Sequence, residues 1–171
     1  SAMLQSDISL NGVLLVNKPV GPTSHDIVDF IRSKFGVKKV GHSGTLDPFA
    51  EGLLILLLGN ATKRQSEFMA SDKKYMVNMR LGVSTDTGDR LGKMTFQSNN
   101  ACPNRETLEK TLGEFTGALV QDIPMYSAVK FKGTPLYKLA RKNIKLLLPP
   151  KRIEIKEIRV VDYNPPNLEL F

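Results

Sequence analysis

The stretch GHSGTLDPFAEGLLILLLG, residues 41–59, sets its one aspartate, Asp47, between a glycine-rich turn and an apolar run. The run, residues 53–58, is long enough for a buried strand and far too short to cross a membrane. A carboxylate is thereby held against a core. Gly41 and Gly44 let the backbone pass close to another molecule, and Pro48 stiffens the turn. A nucleophile or base needs a fixed direction of this kind, which makes Asp47 a candidate catalytic group. The same residue type also has a plainer use, because Asp-Pro is a common turn pair and loop aspartates cap backbone amides. Turn chemistry alone leaves both readings open.

Two motif readings fail. Residues 41–45, GHSGT, miss the nucleophile elbow G-x-S-x-G at the fifth position, and only two histidines exist to serve as base, which argues against a serine hydrolase. Residues 86–89, DTGD, lack the alternating ligands and final glutamate of a calcium loop, so no metal is expected.

At 171 residues and 41% hydrophobic, the chain is long enough for one domain with a real core. A single cysteine, Cys102, excludes a disulfide framework and a cysteine metal cluster and suits a reducing cytosol. Neither a signal peptide nor a membrane span is visible, and a cytoplasmic protein is expected. Residues 1–3, SAM, read as an expression scar ahead of a domain covering residues 4–171. The formal charge of +7 points to a polyanionic partner. That surplus is concentrated late: over residues 129–171 Lys and Arg outnumber Asp and Glu by 10 to 4, whereas the rest of the chain is nearly balanced. The basic segments there, residues 136–142 and 151–152, are either the surface that faces such a partner or a solvated face.

Residues 12–17, GVLLVN, form a short apolar run that stops at Lys18-Pro19, where proline removes a ladder donor. The turn at residues 20–23 leads to Ser24 as N-cap of an amphipathic helix, with Ile27, Val28, Ile31 and Phe35 at helical spacing and Gly36 as its end. Lys18 is read either as a phosphate contact or as a solvated turn lysine, and Lys38-Lys39 as charge able to hold a polyanion's backbone. Residues 61–69 read as a short helix. Tyr75, Val77, Met79 and Leu81 alternate with polar positions as in a half-buried strand, with Tyr75 a core aromatic by default. Residues 84–92 read as a hairpin loop, and Asn104 caps a helix carrying Leu108, Leu112 and Phe115 that Gly117 closes. Residues 123–130 return to an extended run, residues 132–133 turn, residues 136–142 form a basic helix, and Ile153 and Ile155 mark a strand.

GHSGTLDP followed by GLL, together with KPVGPTS at residues 18–24, closely resembles the TruB-type tRNA pseudouridine synthases. The likeness extends through KKYMVNMRLG (73–82), STDTGD (84–89), IPMYSAVKFKG (123–133) and LYKLAR (136–141). It implies an α+β pseudouridine synthase fold, with a mixed, largely antiparallel sheet flanked by helices. The implied activity is isomerisation of the tRNA T-loop uridine, position 55, to pseudouridine, without a cofactor. The resemblance makes Asp47 the catalytic aspartate, acting at C1′, at C6 or by proton abstraction, and puts His42 beside the extruded uridine and Tyr75 in a stack on it. Asp86, Tyr126 and Lys130 match family residues of the catalytic cleft, while Lys18, Pro19, Gly41, Gly44 and Pro48 belong to the supporting loops.

The resemblance also sets an expectation about extent. Family catalytic domains continue past a strand like NLELF, residues 167–171, into a G-T-Y-I-R segment whose arginine pairs with the aspartate, and then into a C-terminal RNA-binding domain. A C-terminally incomplete catalytic domain with reduced activity is therefore expected. The rival readings are a guide-RNA-directed relative, which often shares GHSGTLDP, and a non-catalytic RNA-binding fragment. Oligomeric state is left open.

Overall fold

The computed structural model describes residues 10–122, 130–131, 134–136 and 149–171, with backbone only at residues 130–131 and 134–135. They fall into two compact units, one ending at Lys73 and the other beginning at Lys74. All the described strand ladders are antiparallel.

In the first unit, β1 (Gly12–Lys18) pairs along its whole length with β3 (Gly52–Leu58), which also carries the short β2 (Val40–His42), in the order β1-β3-β2. The apolar run of β3 is thus the central strand. Helix α1 (Ser24–Phe35) covers one face, and Val28, Ile31, Val37, Val40, Leu54 and Leu56 form the core, with Leu14, Val16 and Leu46 packed around it. Each such side chain taken from water contributes about 1.5–3 kcal/mol. Gly36 ends α1 in the left-handed conformation at φ 65°, as its position in the sequence predicts. Thr23 starts it: its hydroxyl accepts from the Asp26 amide while the Asp26 carboxylate accepts from the Thr23 amide, a reciprocal capping box. The cap therefore lies one residue before Ser24, whose side chain is engaged elsewhere.

Two further expectations change in this unit. Gly41 and His42 lie in β2, paired with Leu57 and Leu56, so the turn proper begins after them. The segment read as one short helix over residues 61–69 is a 3₁₀ turn, Gly59–Arg64, followed by helix α2 (Gln65–Met69). Gly59 sits at φ 56° and the Thr62 hydroxyl donates to its carbonyl, a local bond that favours the tighter turn.

The second unit holds a three-stranded sheet, β11 (Val160–Asn164), β12 (Asn167–Leu170) and β4 (Val77–Arg80), in that order. Helix α3 (Arg105–Gly113) contributes Leu108 to a core with Leu168 and Leu170. Asn104 caps α3 by accepting from the Thr107 amide, as expected, but the helix ends at Gly113, and Phe115 lies outside it and exposed. A hairpin joins β5 (Val83–Thr85) to β6 (Met94–Gln97), and β7 (Gly117–Gln121) pairs with β10 (Lys151–Ile155). The two-residue strands β8 (Lys130–Phe131) and β9 (Thr134–Pro135) pair with each other.

The half-buried strand expected around residues 75–81 is not observed. Every residue of β4 is exposed, including Val77 and Met79, and only Leu81, just beyond it, packs on the core. Alternation separates the two faces of a strand without supplying a cover for either. Tyr75, read as a core aromatic by default, is 55% exposed. Residues 1–3, Tyr126 with the extended run before Lys130, the turn at 132–133 and most of the basic helix at 136–142 lie outside the described residues.

Candidate active site

Asp47 sits in the connection between β2 and β3, and two residues from earlier in the chain hold that connection. On its N-terminal side, the Ser24 hydroxyl donates to the Leu46 carbonyl at 3.0 Å and accepts from the Leu46 amide at 2.9 Å. On its C-terminal side, the Gly21 amide donates to the Pro48 carbonyl at 2.7 Å. The turn closes on itself where Ala50 N–H donates to the Asp47 carbonyl. Both neighbours of the acid are therefore tied to the KPVGPTS turn.

That turn is fixed from below by Lys18. Its side chain is fully buried, and Nζ donates to the carbonyls of Pro19 and Pro22, each at 2.8 Å. Neither the phosphate-contact nor the solvated-lysine reading survives: the buried ammonium is taken up by two backbone carbonyls of the turn. Pro19 and Pro22 cannot donate backbone hydrogen bonds of their own, and Gly21 occupies φ 119°, where an L residue is strained.

Asp47 itself is exposed, and its carboxylate accepts no hydrogen bond among the described residues. The acid expected to be held against a core is instead presented to solvent by a backbone anchored on both sides. Gly44 occupies φ 137°, where an L residue is strained, whereas Gly41 lies in a strand and its glycine is not required by conformation.

His42 leaves β2 with its ring turned back onto the loop. Nδ1 is 2.6 Å from the Gly44 carbonyl, an oxygen that can only accept, so Nδ1 carries the proton, which leaves Nε2 as an acceptor whenever the ring is neutral. Gln65 of α2 donates to the His42 carbonyl at 2.8 Å, a support that spacing in the sequence did not reveal. Lys63, Arg64 and Lys73 border this region in sequence. Arg64 is taken up by two hydrogen bonds to Glu67, which hold the Glu67 carboxyl below the usual carboxylate range, and Lys73 Nζ donates to the carbonyls of Met69 and Ser71.

His42, Gly41, Gly44, Pro48, Lys18 and Pro19 thus share one assembly with Asp47 in the first unit. Tyr75 and Asp86 belong to the second. Tyr75 precedes β4 with its ring exposed. Asp86 closes the β5–β6 hairpin, its carboxylate accepting from the Lys93 amide at 2.8 Å, in keeping with the hairpin reading of residues 84–92. Lys130 lies in β8, and Tyr126 falls outside the described residues. Ser24 and Gln65 are the contributors that sequence reasoning missed. Ser24 carried a signal, but it was read as the helix cap.

No described helix is long and apolar enough to cross a membrane. The family model of the TruB family pseudouridylate synthase N-terminal domain matches residues 32–171. Among curated relatives, tRNA pseudouridine synthase B of Caldanaerobacter subterraneus subsp. tengcongensis is 44% identical over 160 residues, covering 94% of this chain and 56% of that protein. The protein of the same name from Caldicellulosiruptor saccharolyticus is 45% identical, covering 92% and 54%, and that from Endomicrobium trichonymphae 42%, covering 95% and 70%. The chain thus spans about half the length of the first two. Among solved structures, a Cbf5-Nop10-Gar1 complex matches with a TM-score of 0.64 at 23% identity, covering 93% of this chain and 38% of that one. An H/ACA RNP bound to a substrate RNA containing 2'-deoxyuridine matches at 0.63 and 21%, covering 93% and 36%. At that identity the likeness is one of fold, and it bears out the α+β, largely antiparallel architecture. With the family model matched from residue 32 to residue 171 and three relatives above 40% identity, this chain belongs to the TruB family of pseudouridylate synthases.

Proposed function

We propose that this chain carries the catalytic centre of a tRNA pseudouridine synthase that isomerises the T-loop uridine at position 55, with Asp47 as the catalytic residue. The observation that carries the reading is the contrast within one residue: the backbone on both sides of Asp47 is tied down, while its carboxylate is exposed and accepts no hydrogen bond among the described residues. A carboxylate that serves only to close a turn would use its oxygens on the turn's amides. This one keeps them for a substrate.

The reaction breaks the bond from ribose C1′ to uracil N1 and forms one from C1′ to C5. N1 gains a proton and C5 loses one to solvent, so no oxidant or reductant is consumed. An anchored carboxylate suits either attack at C1′ or C6 or abstraction of a ribose proton, because each requires a fixed oxygen beside the flipped nucleotide. Extruding that nucleotide costs a few kcal/mol. The exposed ring of Tyr75 is suited to the stacking that offsets this cost, His42 Nε2 offers an acceptor, and the exposed Lys38 and Lys39 offer phosphate contacts. Tyr126 and Lys130 are assigned supporting contacts on the same reading, and Asp86, whose carboxylate holds its own hairpin, the secondary role of helping to position other charged groups.

The guide-RNA-directed alternative draws on the solved structures, but identity is 21–23% there against 42–45% for the curated tRNA enzymes, which favours tRNA. The test is tritium release from C5-labelled uridine in a T-arm hairpin, with this chain and with Asp47→Ala. Release from the parent chain and none from the variant is expected. Equal release from both removes Asp47 from the chemistry, and RNA binding without release from either favours the RNA-binding fragment. Release that appears only when a guide RNA is added moves the assignment to the guide-directed class.

A further inference from the structure

We propose that Ser24 is a positioning residue for Asp47, holding the Leu46 backbone so that the following carboxylate meets the nucleotide in one orientation. The inference rests on the reading that Asp47 carries the isomerisation, and it assigns a role to a side chain that touches neither the substrate nor the acid.

Three observations carry it. Ser24 is 2% exposed, yet it is not the helix cap, so its buried hydroxyl must find partners other than the first-turn amides of α1. It finds both at one residue: Leu46 N–H donates to Oγ at 2.9 Å, and Oγ–H donates to Leu46 C=O at 3.0 Å. A hydroxyl using donor and acceptor on a single residue fixes the rotation of its backbone as well as its distance, which a single hydrogen bond would not do. The residue so fixed is the one immediately before Asp47, and its side chain packs on the first unit's core.

The remaining ties show why Ser24 is the controlling one. The Gly21–Pro48 bond holds the far side of the acid, but through a turn of glycine and prolines that depends on Lys18 for its own shape. Ser24 instead belongs to the first turn of α1, whose start is set by the Thr23–Asp26 capping box and whose body is packed through Val28 and Ile31. Through Ser24, the rigid helix becomes the reference against which Asp47 is placed.

The test uses the full chain and a T-arm hairpin, and it compares the single-turnover rate at saturating RNA with RNA affinity and thermal melting. Ser24→Ala is expected to lower the rate about 10- to 100-fold, as a misplacement on the order of 1 Å does, while Kd for the hairpin stays within about twofold. Val28→Ala, which opens a cavity in the same core but leaves both Ser24–Leu46 hydrogen bonds in place, should lower melting at least as much and reduce the rate of the folded protein far less than Ser24→Ala does. Should Ser24→Ala fail to fold, Ser24→Cys, with a weaker donor and acceptor of similar size, is expected to give a smaller drop in rate. A parental rate in the serine variants overturns the proposal, as does an equal loss of rate in Val28→Ala, which would reduce Ser24 to ordinary core stability. If Asp47→Ala keeps the parental rate, or the parent releases no tritium, the underlying reading has failed. If Asp47→Ala is inactive while Ser24→Ala is fully active, only the positioning role has failed.

Discussion

The loop around Asp47 and the hairpin loop at residues 84–92 both carry aspartates beside glycines, and they spend them differently. In the hairpin the carboxylates hold the loop itself: Asp86 accepts from Lys93 N–H, and Asp89 accepts from Leu91 N–H and the Thr87 hydroxyl. All of these partners lie within seven residues. Around Asp47 the holding is done from a distance by Ser24, Gly21 and, beneath them, Lys18, and the carboxylate is left over. A loop that stabilises itself consumes its acids, whereas a loop braced by another segment can present one. Asp47 and Asp86 look alike in sequence, and their hydrogen bonds tell them apart.

The largest effect should come from reversing that distinction. Asp47→Ala should cut tritium release by on the order of 10³-fold or more, as removal of a group acting at the reacting atoms does. The same variant should melt like the parent, because an exposed carboxylate without hydrogen bonds stabilises nothing that unfolding loses. A substantial fall in melting temperature would mean that Asp47 is a turn residue after all, and the contrast between the two loops would collapse. The bracing segment should respond in the opposite sense. Lys18→Met keeps the length of the side chain but leaves the Pro19 and Pro22 carbonyls without their donor, at a cost of about 1–3 kcal/mol in urea unfolding. An unchanged urea midpoint would show that the buried ammonium is not what shapes the turn.

How far these roles could be read in advance depended on where the partners lie in sequence. Strand β1, strand β3, helix α1 and the capped start of α3 were legible because each is decided locally, by an apolar run before Lys18-Pro19, by helical spacing ending at Gly36, or by Asn104 ahead of Leu108. Lys18 was not legible, since a lysine in a turn gives no sign that its ammonium will be enclosed by carbonyls. Ser24 was misread for a related reason: its partner is 22 residues away, and the nearby helix start offered a plausible local use. The exposure of β4 escaped because period two assigns faces without saying what covers them. Asp47 stood out through its family resemblance, while its turn chemistry left it ambiguous.

The self-held hairpin gives a smaller and more local test. Asp89→Ala removes the acceptor of both Leu91 N–H and the Thr87 hydroxyl, and about 1 kcal/mol of local stability should go with it. Amide exchange measured by NMR should quicken at Leu91 and its hairpin neighbours and stay unchanged at Leu46. Faster exchange at Leu46 as well would show that the two loops are not held independently.

The smallest effect lies at the start of α1, and its sign is fixed by the capping box. Hydrogen bonds from the Thr23 hydroxyl and amide region hold the Asp26 carboxyl below its ordinary 3.8, so the folded state favours the ionised form more than the unfolded chain does. The resulting stabilisation is fully present above that ordinary value and is lost as pH falls through it to the lowered folded-state value. Asp26→Asn keeps an acceptor for the Thr23 amide but carries no charge to titrate. Its melting temperature should therefore lie slightly below the parent's at pH 7, with the gap closing as pH falls below the usual aspartate range. A gap that persists or widens in acid would place its origin in the geometry of the cap and not in the charge. In that case the reference helix against which Ser24 fixes Leu46 would be insensitive to the charge of Asp26 at its N-terminus.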